Sequence, residues 1–125
     1  MSNPIQNMLA IAHVTVCKVA FAAKLNVTGY WSFKHVGLAP VSLWMLRKSR
    51  AINYAPNDRV QVSTEQQDFE FAIQAGFDGS SGSVSIGDEI TDDSGDVFMI
   101  TGPINADDTG TIFTCSATCK TVRQV

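Results

Sequence analysis

Through much of the chain after residue 40, apolar and polar residues alternate with a period of two. In Asp68-Phe69-Glu70-Phe71-Ala72-Ile73-Gln74, the side chains of Phe69, Phe71 and Ile73 point one way and those of Asp68, Glu70, Ala72 and Gln74 the other, the pattern of a half-buried strand. Val97-Phe98-Met99-Ile100 is apolar on both alternating faces, which predicts a strand covered on both sides. Val41–Arg47 reads the same way, with Val41, Leu43 and Met45 opposite Ser42, Trp44 and Leu46. Shorter β-type runs fall at Arg59–Ser63, Glu89–Thr91 and Thr111–Ala117, with Thr64–Gln67 as a connector.

Turn chemistry separates these runs. Asp92-Asp93-Ser94-Gly95 and Asp107-Asp108-Thr109-Gly110 are hairpin punctuation, because Gly supplies positive φ and Asp tolerates it. They make Ser83–Ala117 a meander. Asn53–Asp58 is a turn cluster in which Pro56 removes a ladder donor.

Two periods compete near the amino terminus. A helix starting at Asn3-Pro4 places Ile5, Leu9, Ala12, Val16, Val19 and Ala23 on one stripe, with Gln6, His13 and Lys24 near the opposite side. The β-branched density of His13–Val19 favours a strand instead. The combined expectation is an arm or short helix over residues 1–12, then a strand to about Ala22.

Residues 26–40, with Gly29 and Gly37 and no sustained period, read as a long loop or a poorly regular hairpin carrying Tyr30, Trp31 and Phe33. Residues 76–82 are a second loop of flexible composition, whose ordering costs about 1–2 kcal/mol per residue of backbone entropy and which is expected to stay mobile until gripped. Six to eight short strands without strand-helix alternation give a mainly β fold: a small antiparallel β-barrel or sandwich with long loops, as a single domain over residues 1–125. The candidate interaction surface is Tyr30, Trp31 and Phe33 on the first loop, Phe77, Asp78, Gly79, Ser80, Ser81 and Gly82 on the second, and the apolar amino-terminal segment.

Charge narrows the partners. Nine basic residues against 12 acidic ones, a formal net charge of −3, lack the basic surface that phosphate contacts require, and the only dense basic patch is Arg47-Lys48-Ser49-Arg50. The odd number of cysteines, Cys17, Cys115 and Cys119, fits reduced thiols better than a disulfide framework, although Cys115 and Cys119 are close enough in sequence to meet across a turn. A zinc site would need these three to converge with His13 or His35, without the two close-spaced ligand pairs usual for zinc, so no metal or other cofactor is expected. The apolar run Met8–Ala23 is interrupted by Lys18 and falls short of the ~20 residues of a membrane span. Met1–Asn7 carries no basic residue of the kind that opens a secretory signal.

Catalytic signatures are sparse. The sequence has no phosphate-binding loop, dinucleotide fingerprint or nucleophile elbow, and Gly79-Ser80-Ser81-Gly82-Ser83 reads as a flexible loop instead of a nucleophile with its base. The acidic runs lack the alternating carboxylates and following Glu of a calcium loop. His13 and His35 have no motif partner. The residues describe a non-enzymatic β domain.

Phe71 through Ala117 carries a resemblance. Its strand, loop, Val84-Ser85-Ile86-Gly87-Asp88-Glu89-Ile90, short turn, Val97-Phe98-Met99-Ile100, Asp107-Asp108-Thr109-Gly110 and final strand resemble the head-tail joining and head-closure (stopper) proteins of tailed bacteriophages. There a strand ending in Gly-Asp precedes a hairpin whose second strand carries an aromatic residue, followed by an acidic-Gly turn. The resemblance implies a structural subunit of the virion neck, made in the host cytoplasm. It implies a ring of about twelve copies between portal and tail. Its partners would be copies of itself, a portal or adaptor protein and tail proteins, with passive contact to packaged DNA and none to membrane. Two other expectations come from the same fold class: a capsid decoration or tail-tube subunit, and a single-stranded nucleic-acid-binding barrel that stacks bases on Tyr30, Trp31 and Phe33 beside Arg47, Lys48 and Arg50.

Overall fold

The computed structural model describes residues 4–24, 27–54, 62–80, 82–120 and 123–124. A helix, α1 (Pro4–Ala22), precedes seven strands: β1 (Thr28–Lys34), β2 (Val41–Tyr54), β3 (Val62–Ala72), β4 (Glu89–Thr91), β5 (Val97–Ala106), β6 (Ile112–Cys119) and β7 (Arg123–Gln124). Two antiparallel meanders, β1-β2-β3 and β4-β5-β6, join edge to edge. β1 pairs with β4 and β3 with β6, so six strands close into a barrel, and β7 adds to the start of β3. Closure leaves the six strands without a long open edge to template aggregation.

The alternation seen in the sequence decides which side chains fill the barrel. Trp31 and Phe33 of β1, Leu43 and Met45 of β2, Phe69 and Phe71 of β3, Ile90 of β4 and Phe98 and Ile100 of β5 are buried in one cluster. The wall opposite the large rings is built small: Cys115, Ala117 and Cys119 on β6 pair in register with Phe69, Gln67 or Ile100, and Phe98. Small residues there leave room for the edge-on contacts of Phe69 with Trp31 and Phe98, ring centroids 5.8 and 5.4 Å apart. Burying each such side chain contributes about 1.5–3 kcal/mol. In β5 the register slips between Ile100 and Ile104, where a Cβ on Gly102 would lie 2.6 Å from Ser116 Cβ. Only glycine allows that approach, and the slip bends the strand as a bulge does.

Several sequence expectations are corrected. α1 is one helix through Ala22, so the strand expected after Ala12 does not form; its buried face is Ala10, His13 and Cys17, spaced three and four apart. Residues 26–40 are not a loop throughout, because Thr28–Lys34 is β1 and alternates Trp31 and Phe33 into the core. Thr64–Gln67 is continuous strand within β3. Residues 59–61, most of the 53–58 turn and Ser81 lie outside the described residues. Cys115 and Cys119 share one face of one strand, with no turn between them, and both are free thiols. Glu89–Thr91 is strand β4 as expected, and Val84–Asp88 before it is a turn where the head-closure pattern has a strand ending in Gly-Asp.

The 76–82 loop is anchored through side chains of its own. Phe77 is buried at one mouth of the barrel, its ring 5.0 Å from Phe71, 5.2 Å from Phe113 and 6.1 Å from Phe33. Its backbone pairs both ways with Gln74. Asp78 then accepts hydrogen bonds from the Ser80 amide and hydroxyl, an Asx turn that lowers the Asp78 pKa.

Candidate interaction surfaces

The barrel's outer wall is polar where α1 lies on it, and that inverts the helix. His13 Nε2 is 3.0 Å from Glu70 Oε1, and Glu70 Oε2 accepts from Lys48 Nζ at 3.0 Å. Burial alone would raise the Glu70 carboxyl, but the bonds and charges of Lys48 and His13 outweigh it and hold the pKa below 4.5. Gln6 donates to the Thr109 carbonyl at the far end of the helix. Toward the helix end, Phe21 packs edge-on against Trp44 at 5.6 Å, and Lys18 Nζ stands 5.9 Å from the Trp44 ring.

The side carrying Gln6 and His13, expected to face away from the apolar stripe, is therefore the side that docks. Met8 (71% exposed), Ile11 (67%), Val16 and Val19 point outward. By length and composition alone α1 also suffices to cross a membrane, despite Lys18. The outward side chains follow a helix about 28 Å long. Monomeric soluble proteins rarely expose contiguous apolar patches of more than a few hundred Å² without an interaction purpose.

A second apolar surface lies at the barrel mouth that Phe77 plugs. A cleft of about 560 Å³ is walled by Phe33, Leu38, Ala39, Val41 and Phe77, with Gln74, Asp78 and Ser80 among its polar residues. Leu38, in the β1–β2 connection, is 62% exposed, and Val36 beside it and Ile86 of the following turn are exposed too. This mouth is braced by Asp88, which is fully buried. Asp88 Oδ2 accepts from the Ser85 amide and lies 2.7 Å from His35 Nδ1, while Oδ1 accepts from the Val36 amide. Gly87, at φ +99°, makes the turn that delivers this carboxylate inward. The Gly-Asp step of the sequence thus has a structural job: it ties the β1–β2 connection to the start of β4.

The sequence candidates divide between surface and core. Tyr30 is exposed on the outer face, its ring 4.9 Å from Trp44. Asp78, Ser80 and Gly82 are exposed and Gly79 is half-buried. Trp31, Phe33 and Phe77 are core residues with rings turned into the barrel, so they present no flat face to a partner. Arg47 is withdrawn as well: its guanidinium lies 4.6 Å from the Trp31 ring centre and donates to Asp92 Oδ2 at 3.0 Å. Asp92 Oδ1 in turn accepts from the Ser94 and Asp96 amides, which folds the β4–β5 turn. That the apolar amino-terminal segment is a surface was legible; which of its sides turns outward was not, because a helical stripe shows where apolar residues cluster but not what the neighbouring wall offers them.

One cluster has the outline of nucleophile chemistry. Cys17 Sγ is 3.7 Å from His13 Nδ1, and His13 contacts Glu70 through its other nitrogen, the order thiol, imidazole, carboxylate. Cys17 is fully buried, and burial together with the Glu70 charge raises its pKa to about 11. Such a thiol is protonated at neutral pH and out of a substrate's reach. Cys115, inside the barrel, is pushed up to about 12, chiefly by burial. His13 and Glu70 fasten α1 to the wall. Comparison with known proteins finds no matching family model, curated protein or solved structure.

Proposed function

We propose that this chain is a structural connector subunit of a tailed-phage neck, a head-completion or stopper protein that forms a ring between portal and tail and helps retain packaged DNA. The observation that carries the reading is the placement of apolar surface. The barrel interior is filled by its own rings, while α1 and one barrel mouth turn large apolar side chains outward. A molecule built that way works through contacts with other chains. The resemblance of Phe71–Ala117 to head-closure proteins supplies the kind of assembly. The acidic balance, 12 acidic residues to 9 basic, suits a lumen past which DNA slides without sticking.

A capsid decoration or tail-tube subunit would draw on the same surfaces. The single-strand-binding alternative has less support, since Trp31 and Phe33 are in the core and Arg47 is engaged with Trp31 and Asp92. Electron microscopy of the protein mixed with the portal protein of the same virion tests the proposal. Rings stacked coaxially on the portal are expected. A strict monomer that binds neither portal nor tail components overturns it.

A further inference from the structure

The contacts that join α1 to the barrel differ in kind from those inside the barrel. Three of the helix's 19 residues are buried, Ala10, His13 and Cys17, and none of them belongs to the core cluster. Two of those side chains are small, and all the large apolar ones of α1 are exposed or half-buried, so parting helix from wall forfeits little hydrophobic stabilisation. The wall is self-sufficient as well. β1 to β6 close without α1, and Glu70 has Lys48 Nζ at 3.0 Å as an ion-pair partner that stays when His13 leaves. We propose that α1 is a releasable arm, which leaves the wall as one unit and returns while the barrel beneath it stays folded. The inference goes beyond the connector reading and concerns the single chain, whatever assembly it enters.

The latches are few and spread along the helix. Gln6 donates to the Thr109 carbonyl near one end, His13 meets Glu70 in the middle, and Lys18 and Phe21 meet Trp44 near the other. On release each polar latch exchanges a protein partner for water, so its net contribution is modest. The helix's own bonds do not run through the wall. Even the Thr15 hydroxyl donates within α1, to the Ile11 carbonyl at 2.7 Å.

A pivot stands where such an arm needs one. The chain turns at Lys24, whose φ of +59° makes it the one non-glycine residue in the left-handed region among the described residues. Its amide donates to the Phe21 carbonyl and ends the helix in a tight cap. A residue with a side chain costs energy in that conformation where glycine would not, and hinge motions are absorbed by a few residues at the ends of elements. Proteins open in cooperative units below the free energy of global unfolding, and the unit with the fewest buried apolar contacts opens first. Here that unit is α1.

The three free cysteines report the two kinds of opening separately, because Cys17 is buried on the docking side of α1 whereas Cys115 and Cys119 belong to the barrel core. The folded protein is treated with iodoacetamide, and mass spectrometry of quenched, digested samples gives the rate at each thiol as urea is raised below the unfolding transition. Cys17 is expected to react about 100-fold or more faster than Cys115 and Cys119. Its rate should be nearly flat in urea while theirs climb steeply, since only global opening exposes a large surface. Two variants then separate release of the arm from other openings. Gln6 lies 11 residues from Cys17, about 16 Å along the axis, so Gln6→Ala reaches Cys17 only when the helix moves as a body. It is expected to speed Cys17 labelling about five-fold, the weight of one hydrogen bond. Phe98→Ala destabilises the barrel and is expected to speed Cys115 and Cys119 about 100-fold or more while Cys17 keeps its wild-type rate. Equal rates with equal urea dependence at all three thiols overturn the proposal, because α1 would then leave only when the whole chain unfolds. A Cys17 rate that follows Phe98→Ala overturns it for the same reason. A Cys17 rate that ignores Gln6→Ala marks local breathing around a docked helix and overturns it too. So does Cys17 labelling as fast as in the fully unfolded chain, which would mean that α1 never docks.

Discussion

The barrel and the helix use apolar side chains in opposite ways. In the barrel, large rings turn inward within six closed strands, with Gln67 of β3 buried among them as an exception whose amide has no hydrogen-bond partner among the described residues. In α1 the contact with the rest of the molecule is made by Ala10, His13 and Cys17 together with Gln6 at one end and Lys18 and Phe21 at the other, while Met8, Ile11, Val16 and Val19 face water. One region is held by burial and the other by latches. A substitution of the same chemical kind should therefore have very different consequences in the two.

The sharpest break in that comparison is at Phe98. Its ring is fully buried, packs against Phe69 and sits in register with Ile90 on one side and Cys119 on the other. Phe98→Ala is expected to lower unfolding stability by about 3–5 kcal/mol, from lost transfer energy and the cavity left behind. Urea denaturation followed by tryptophan fluorescence measures it. A loss below about 1 kcal/mol would mean that the barrel interior is loosely packed.

The same contrast explains what could be read from the chain beforehand. Asp68–Gln74 was legible because period-two alternation reports a buried face directly, so that Phe69 and Phe71 need no knowledge of their neighbours to be placed inside, whereas Val97–Ile100, apolar on both alternations, could not show that Phe98 and Ile100 turn inward and Val97 and Met99 stay half-buried. The 26–40 segment was illegible because Gly29 and Gly37 look like loop punctuation, whereas Gly29 lies beneath the Trp31 indole, which folds back over it within a strand. Composition likewise concealed Phe77, a single ring in a flexible-looking loop that is nonetheless gripped by three others. The helix was half legible. Its apolar stripe is real, but its orientation depends on Glu70, a residue on a distant strand that the sequence cannot bring alongside His13.

The latch gives a smaller and pH-dependent effect. Glu70 is held below its ordinary value of 4.5 in the folded protein, so its contribution is fully present above that value and is lost as pH falls through the folded-state pKa. Asp107 behaves in the same sense: burial opposes ionisation, but the Thr111 and Ile112 amides and the Thr109 hydroxyl prevail and hold it below 3.8. Glu70→Gln removes the first contribution and keeps the second, so the difference between the two proteins isolates the helix latch. The variant is expected to lose about 1 kcal/mol at neutral pH, discounted for partial solvent screening, and to converge on wild type as pH drops below 4.5. Denaturation across that acid range, with near-ultraviolet dichroism of Trp44 as a local probe of α1, decides it. A constant gap at all pH values would mean that the loss is one of packing instead of charge.

The smallest effect completes the comparison. Ile11→Gln exchanges a large apolar side chain for a polar one that also favours helix, at a position 67% exposed and away from the docking face. In the barrel an equivalent exchange would bury an unsatisfied amide; on α1 it changes only what water touches. The unfolding stability measured by urea denaturation is expected to stay within about 0.5 kcal/mol of wild type. A loss of 2 kcal/mol or more would place Ile11 against the protein's own wall. The outward face of α1 would then be core, and the division between a region held by burial and one held by latches would no longer hold.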